Sequence, residues 1–179
     1  MTALAALKLL ALLAMLGVAV TTDLRERRIP NRLTVTGALA AVALSTFEGS
    51  GAFGASLAGM LAALGLSIPF FALGAVGAGD AKLLAAVGAF VGIGGLVPVL
   101  LYSAVAGGLL GVASAVRRGV ILPALLQTSG LLIHAVTLGR RGSRTTIDDP
   151  NAQTIPYGVA IAAGTVVAFL LPLSIGVAS

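Results

Sequence analysis

The sequence predicts an all-α integral membrane protein with about six transmembrane helices. Of its 179 residues, 58% are hydrophobic and only 9% are charged, and the mean hydropathy is +1.09. Soluble domains carry about 25% charged residues, so a soluble fold of this size could not cover so much apolar surface. No polar stretch is long enough for a separate soluble domain, and we therefore expect one polytopic membrane domain over residues 1–179.

The first predicted span, residues 2–20, is apolar except for Lys8. Arginines follow this segment at positions 25, 27, 28 and 32, whereas the basic residues of a secretory signal peptide precede its apolar run. The order therefore indicates a retained helix whose N-terminus lies outside the cell. We expect the Lys8 side chain to extend toward the outer membrane interface.

Five further apolar segments follow, with predicted bounds 33–47, 52–76, 83–93, 99–116 and 156–175. The turn between the second and third spans begins at Glu48. Three glycines and a proline mark the break between the fourth and fifth spans: Gly92, Gly94, Gly95 and Pro98. Small residues recur at four-residue spacing, which predicts close helix packing in lipid; they are Gly51, Ala55, Gly59 and Ala63, and again Ala104 and Gly108.

The segment 121–138 is apolar but contains Gln127, Thr128, Ser129 and His134. If it does not cross the membrane, every arginine-containing loop lies on one side of a six-span protein, together with Lys82. Only Lys8 and Glu48 then lie on the other side. Counting 121–138 as a span would place two arginine clusters on opposite faces. The positive-inside rule therefore favours six spans, with 121–138 as a cytoplasmic interfacial helix.

Composition excludes several kinds of site. The chain has no cysteine and one histidine, His134, which excludes disulfides, thiolate metal sites and a cysteine nucleophile. We expect neither a metal nor a cofactor. The net charge of +5 indicates membrane topology and not a nucleic-acid partner, because the arginines flank apolar spans instead of forming a stripe with aromatic residues.

Two of the six acidic residues, Asp23 and Asp80, lie at the predicted cytoplasmic edge of the membrane although they are far apart in sequence. A charge near membrane depth is costly unless it is paired or hydrated. One explanation is purely structural, with both aspartates as juxtamembrane charges and Asp80 paired to Lys82. Position alone does not separate this explanation from a functional one.

The neighbouring residues favour a functional pair. Gly77 and Gly79 permit unusual backbone geometry and leave room for another chain beside Asp80. Pro30 and Asn31 close the loop after Asp23 and start the next helix. Two carboxylates in a partly desolvated site share a proton, so one can act as a base and the other as an acid. Such a pair can hydrolyse a peptide bond without serine, cysteine or metal.

Three motifs carry a family resemblance: DLRERRIPN (23–31), GAGDAKL (77–83) and IPYG (155–158). In this order they resemble the motifs of the type IV prepilin leader peptidases, which are membrane aspartyl peptidases with a Gly-x-Gly-Asp signature. The resemblance extends over essentially the whole chain. It implies an enzyme of the cell inner membrane that cleaves the short basic leader from prepilin or pseudopilin precursors at the cytoplasmic face.

The resemblance also assigns residues. Asp23 and Asp80 match the two catalytic aspartates. The residues implied to shape the site or to bind substrate are Gly77, Gly79, Lys82, Pro30, Asn31, Pro156, Tyr157 and Gly158. The implied partners are precursors with a leader and an apolar helix, and membrane lipid.

The chain departs from the larger family members, which carry a cytoplasmic insertion with paired CxxC zinc motifs and also methylate the new pilin N-terminus. It has no cysteine and only a short loop after the first span. It therefore resembles the short, peptidase-only branch that serves tight-adherence (Flp-type) pili, and we expect no N-methyltransferase activity.

Two other functions are compatible with a small apolar protein. A transporter or channel would line its ion path with Asp23, Asp80 and Lys82, and it would carry charges deep within several spans. The centres of the predicted spans are free of charge. A non-catalytic pilus or secretion assembly subunit would use its glycine-rich faces for partner helices, but it has no need for two aspartates on one face.

Overall fold

The computed structural model describes residues 3–72, 76–118 and 157–171, and every regular element within them is an α-helix. These are α1 (Ala3–Glu26), α2 (Asn31–Thr46), α3 (Ser50–Ala72), α4 (Ala78–Arg118) and α5 (Tyr157–Leu170). The all-α prediction is confirmed for this part of the chain. The interfacial helix predicted over 121–138 lies outside the described residues, as does Pro156.

The described residues up to Gly107 form one compact unit together with α5, and the part of α4 after Gly107 belongs to a second. In the first unit α1 packs against α2 and α5, and α2 packs against α3. The large side chains of the buried apolar cluster come from α1, α4, α5 and the loop before α2: Leu12, Met15, Leu16, Ile29, Leu83, Val87, Phe90, Val99 and Ile161. Both predicted aspartates belong to this unit.

The outer surface of the helices is apolar. Within the described ranges, three helices are long and apolar enough to cross a membrane, namely α1, α3 and α4 as far as Ser114, and α5 is a shorter apolar helix. Large side chains point outward from these helices, among them Leu10, Leu61 and Leu101, which are 64%, 62% and 51% exposed. Such a surface suits lipid better than water, which is consistent with an all-α membrane protein. The number of crossings remains a prediction.

Helix α4 is interrupted at Gly92, where φ is 68° and ψ is 179°. A positive φ favours glycine because it has no Cβ. The break falls at the first of the four residues predicted to mark it. Gly94, Gly95 and Pro98 lie inside the helical segment that follows.

The chain changes direction at this break, as contacts on either side of it up to Gly107 show. Before it, Asp80 interacts electrostatically with Asp23, which binds the start of α5. After it, Gly107 packs against Tyr157, the first residue of α5: a Cβ at position 107 would lie 3.2 Å from the tyrosine Cζ. An unbroken helix would hold Asp80 and Gly107 about 40 Å apart. The two parts therefore correspond to the predicted fourth and fifth spans.

Helices α3 and α4 touch backbone to backbone at a point we call the helix crossing, formed by Gly59, Gly88 and Gly92. A Cβ at Gly59 would overlap the Gly88 carbonyl oxygen and the Gly92 backbone. Beside these glycines, the Ser56 hydroxyl donates a 2.7 Å hydrogen bond to the carbonyl of Ala89. The crossing joins the middle of α3 to the end of the α4 segment that begins near Asp80.

The predicted small-residue packing is confirmed in part. Ala63 is fully buried. Ala55 lies beside Gly92, where an added Cβ would be 3.5 Å from the Ala55 Cβ. Gly51 is exposed with open space around it. In α4, Ala104 and Gly108 are exposed, so the small-residue pair predicted there does not form a contact; Ser103 and Gly107, one position earlier, are buried instead.

Lys8 pairs with Glu48, the residue predicted to share its side of the membrane. Its Nζ lies 2.7 Å from Glu48 Oε2 and donates a 3.0 Å hydrogen bond to Ser45 Oγ. The Lys8 side chain is only 15% exposed, because it contacts the residues at the end of α2. The two charges therefore lie together, as the predicted topology requires.

Candidate active site

Asp23 lies in the last turn of α1. The predicted span stopped before it, but the helix continues to Glu26. The helix ends because Arg27 adopts a left-handed conformation with φ at 52°, and its N–H donates a 3.0 Å hydrogen bond to the Asp23 carbonyl. A residue with a Cβ pays about 1 kcal/mol in this conformation. The resulting sharp turn returns the chain toward Asp23.

The Asp23 carboxylate binds the N-terminus of α5. The N–H of Gly158 donates to Asp23 Oδ2 over 2.9 Å, and the N–H of Val159 also interacts with this carboxylate. The first N–H groups of a helix have no partner within the helix and form its positive end. Asp23 is only 7% exposed, and a Cβ at Gly158 would lie 2.7 Å from its Oδ2. Glycine at position 158 therefore lets the buried carboxylate reach α5.

Asp80 is the third residue of α4 and is partly exposed. The N–H of Gly77, just before the helix, donates to Asp80 Oδ2 over 3.3 Å, which is the acidic half of a capping box. A Cβ at Gly77 would lie 3.0 Å from the same oxygen. The other oxygen, Oδ1, accepts no hydrogen bond from the described residues.

The glycines before Asp80 provide space and not unusual backbone geometry. Within the described residues, positive φ occurs at Arg27, Gly49 and Gly92, and so at neither Gly77 nor Gly79. The two aspartates come from opposite helix ends, one from the last turn of α1 and one from the first turn of α4. Their carboxyl groups interact electrostatically, so the structure brings together the two aspartates that the sequence singled out.

Lys82 does not form an ion pair with Asp80. Its Nζ donates a 2.9 Å hydrogen bond to Oδ1 of Asn31, the first residue of α2. The ion pair that would have explained Asp80 as a structural charge is therefore not present. Instead, the Lys82 hydrogen bond joins the start of α4 to the start of α2.

Pro30 and Tyr157 lie at the starts of two helices that border the site, α2 and α5. The Pro30 carbonyl accepts hydrogen bonds from the N–H groups of Leu33 and Thr34, at 3.0 and 3.4 Å, so Pro30 starts α2 as predicted. Tyr157 and Gly158 begin α5, and the tyrosine ring packs against Gly107 of α4.

Ile29 is a contact residue that was not among the predicted site residues. It is 8% exposed, although its neighbours Arg28 and Pro30 are exposed. A Cβ at Gly79 would lie 3.4 Å from Ile29 Cβ, and a Cβ at Gly158 would lie 3.1 Å from Ile29 Cδ1. A signal was present in the sequence, since Ile29 is the single large apolar residue between the arginines and Pro30.

The arrangement suits acid–base chemistry. The Asp23 carboxylate is buried and held by backbone N–H groups, and the Asp80 carboxylate is partly exposed. Such a pair can activate a water molecule on one side and protonate a carbonyl or leaving group on the other. Among the described residues, no three His, Cys, Asp or Glu side chains lie together in a way that could hold a metal ion.

Comparison with known proteins gives one match. The family model described as the type IV leader peptidase family matches residues 10–112, which is more than half of the chain. The matched range includes Asp23, Ile29, Asp80 and Lys82. No curated protein and no solved structure matches the chain.

Proposed function

Because the chain belongs to the type IV leader peptidase family, we propose that it is an aspartic endopeptidase that removes the short basic leader from type IV prepilin-like precursors. The substrates are prepilins or pseudopilins of the Flp type, each with a leader followed by an apolar helix. The meeting of Asp23 and Asp80 supports this proposal most strongly, because it joins two motifs that lie far apart in the sequence.

The proposed reaction uses the two carboxyl groups as one unit. One aspartate takes a proton from water while the other donates a proton to the scissile carbonyl. The water oxygen then bonds to the carbonyl carbon. Collapse of the tetrahedral intermediate breaks the C–N bond, and the leaving amine takes up a proton. No covalent bond to the enzyme forms, and the pair shares the protons throughout.

A purely structural explanation accounts for each aspartate separately. Asp23 caps α5, and Asp80 caps its own helix. Capping does not require the two carboxyl groups to approach each other, however, and like charges close together oppose folding. Their approach is therefore better explained by chemistry.

The transporter alternative has less support. Charged residues in the described helices lie near helix ends: Lys8, Asp23, Arg25, Glu26, Arg32, Asp80, Lys82, Arg117 and Arg118. An ion path would need charged or strongly polar groups farther inside several helices. The assembly-subunit alternative accounts for the glycine-rich helix crossing but not for the paired carboxylates.

The most direct test of the activity uses the purified protein in liposomes with a leader-bearing prepilin as substrate. The expected product lacks the leader, has a free, unmethylated N-terminus in the presence of S-adenosylmethionine, and forms equally in the presence of a metal chelator. The Asp23→Asn/Asp80→Asn double variant, purified in the same way, controls for contaminating peptidases. Equal cleavage by this variant, or restoration of chelator-inhibited cleavage by zinc, would contradict the aspartic mechanism.

The proposed location of the site is the cytoplasmic face of the cell inner membrane, with the protein's N-terminus outside. Reporter fusions test this orientation independently of activity. A fusion at Glu48 and one at the C-terminus should report from outside, and fusions at Arg118 and Arg141 from inside. A fusion at Arg141 that reports from outside would make 121–138 a true span and exclude the six-span topology.

A further inference from the structure

Ile29 lies between the two backbone segments that hold the catalytic carboxylates. Gly79 directly precedes Asp80, and Gly158 donates the hydrogen bond that holds Asp23. The two glycines are far apart in sequence. Because neither has a Cβ, the Ile29 side chain fits against both. Ile29 is therefore the contact that the two segments share.

The two ends of the Ile29 side chain face different glycines. Its Cβ and Cγ1 face Gly79, at 3.4 and 3.8 Å from the position of a Cβ there. Its Cδ1 faces Gly158, at 3.1 Å from the corresponding position. A valine would keep the atoms that face Gly79 and would lack the atom that faces Gly158.

The backbone around Ile29 is held on both sides. Before it, Arg27 is in a left-handed conformation and hydrogen-bonded to Asp23. After it, Pro30 starts α2, and Asn31 accepts the Lys82 hydrogen bond. A side chain on so constrained a loop cannot shift far. It can therefore hold the start of α4 and the start of α5 at a fixed separation.

We propose that Ile29 is a positioning residue that sets the separation of the Asp23 and Asp80 carboxyl groups by filling the space between Gly79 and Gly158. Its effect on catalysis rests on the proposed peptidase function, whereas its effect on distance does not. Truncation of Ile29 should let the two segments move while leaving the substrate-binding surface intact. The rate of the chemical step should then fall with little change in KM.

Kinetics of graded variants test the catalytic part. Misplacement of reacting groups by about 1 Å costs on the order of a hundredfold in rate. We expect Ile29→Ala to lower kcat by about that factor, and Ile29→Val to lower it less, with KM unchanged within about twofold in both. The matched control is Leu12→Ala, which removes the same number of atoms from a side chain that is 1% exposed in α1. Rates are expressed per folded molecule.

A distance measurement tests the structural part without any activity. The chain has no cysteine, so spin labels can be attached to cysteines introduced at Arg25 and Ala78, which are exposed at the end of α1 and the start of α4. We expect Ile29→Ala to broaden or shift the label-to-label distance measured by pulsed electron paramagnetic resonance, and Leu12→Ala to leave it unchanged.

The outcomes separate the two proposals. An unchanged distance in a folded Ile29→Ala protein overturns the positioning role, whatever the activity. An Ile29→Ala protein whose kcat falls no further than that of Leu12→Ala also overturns it. An Ile29→Ala protein in which only KM rises overturns it as well, because Ile29 would then be a substrate-binding residue. If Ile29→Ala does not fold, Ile29→Val decides by the same two readouts. A changed distance in a protein whose wild type cleaves no precursor supports the positioning role and contradicts the proposed peptidase function instead.

Discussion

Two groups of glycines lie in regions of the molecule that use them differently. At the candidate site, Gly77 and Gly158 border a carboxylate oxygen, and Gly79 borders the Ile29 side chain. At the helix crossing, Gly59 and Gly88 border each other's backbone. The first group makes room for the ends of side chains, and a carboxylate can rotate away from an added methyl group. The second makes room for a helix backbone, which cannot move without disturbing the fold.

The comparison separates function from stability. An added methyl group at the site should displace a carboxylate or Ile29 and so alter activity first. An added methyl group at the crossing should force two helices apart and alter stability first. The two regions also differ in charge, since the site joins carboxylates and helix N-termini, whereas the crossing is uncharged and has one interhelical hydrogen bond from Ser56.

The largest expected effect on stability is at the helix crossing. Gly59→Ala places a methyl group onto the Gly88 carbonyl and the Gly92 backbone. Overpacking of this kind costs about 1–3 kcal/mol, and more where the backbone cannot shift. We expect a lower unfolding temperature in detergent and reduced accumulation in membranes. The control is Gly54→Ala in the same helix, where nothing lies within 4 Å; equal behaviour of the two variants would contradict the comparison.

A somewhat smaller expected effect is at the site, and it concerns activity. Gly158→Ala places a methyl group 2.7 Å from Asp23 Oδ2, so the carboxylate must leave the Gly158 N–H. We expect kcat for leader cleavage to fall on the order of a hundredfold, with a change in unfolding temperature far smaller than that of Gly59→Ala. Gly17→Ala, in the same helix as Asp23 and with nothing within 4 Å, should retain full activity. A Gly158→Ala protein with a much lower unfolding temperature and an unchanged kcat would contradict the claim that the site affects activity first.

The smallest expected effect is at the hydrogen bond between Lys82 and Asn31. This bond is exposed, and hydrogen bonds of this kind contribute about 0.5–1.5 kcal/mol. We expect Asn31→Ala and Lys82→Ala each to lower kcat/KM several-fold, with the double variant no worse than Lys82→Ala. If the Lys82 charge acts directly on Asp80, Lys82→Ala will cost much more than Asn31→Ala. Strict additivity of the two changes would mean that the bond itself has no role.

Much of the helical architecture follows from local sequence. Apolar runs of sufficient length predict helices, and α2, α3 and α5 begin within two residues of their predicted starts. The cluster of Gly92, Gly94, Gly95 and Pro98 predicted a break, and the positive φ at Gly92 confirms where it lies. Hydrophobicity does not predict where a helix ends beyond the membrane core, so α1 continues three residues past Asp23.

The contacts of single side chains could not be read from the sequence in the same way. Lys82 lies two residues after Asp80, which suggests a local ion pair, yet its partner is Asn31. Lys8 pairs with Glu48, at the far end of the following helix. The role of Ile29 depends on two glycines that only the folded chain brings together. Such contacts depend on how helices pack, and helix packing is set by many residues at once.

The central claim is that Asp23 and Asp80 act as one catalytic unit, and kinetics of three variants test it most directly. Asp23→Asn and Asp80→Asn keep the size and polarity of each side chain while removing its acid–base function. Each should lower the rate of leader cleavage by about a thousandfold or more, and the double variant should be no slower than either single variant. Glu26→Gln, which changes an exposed carboxylate three residues from Asp23, should leave the rate unchanged. Substantial cleavage by either single aspartate variant, or a double variant whose loss equals the product of the two single losses, would contradict the claim.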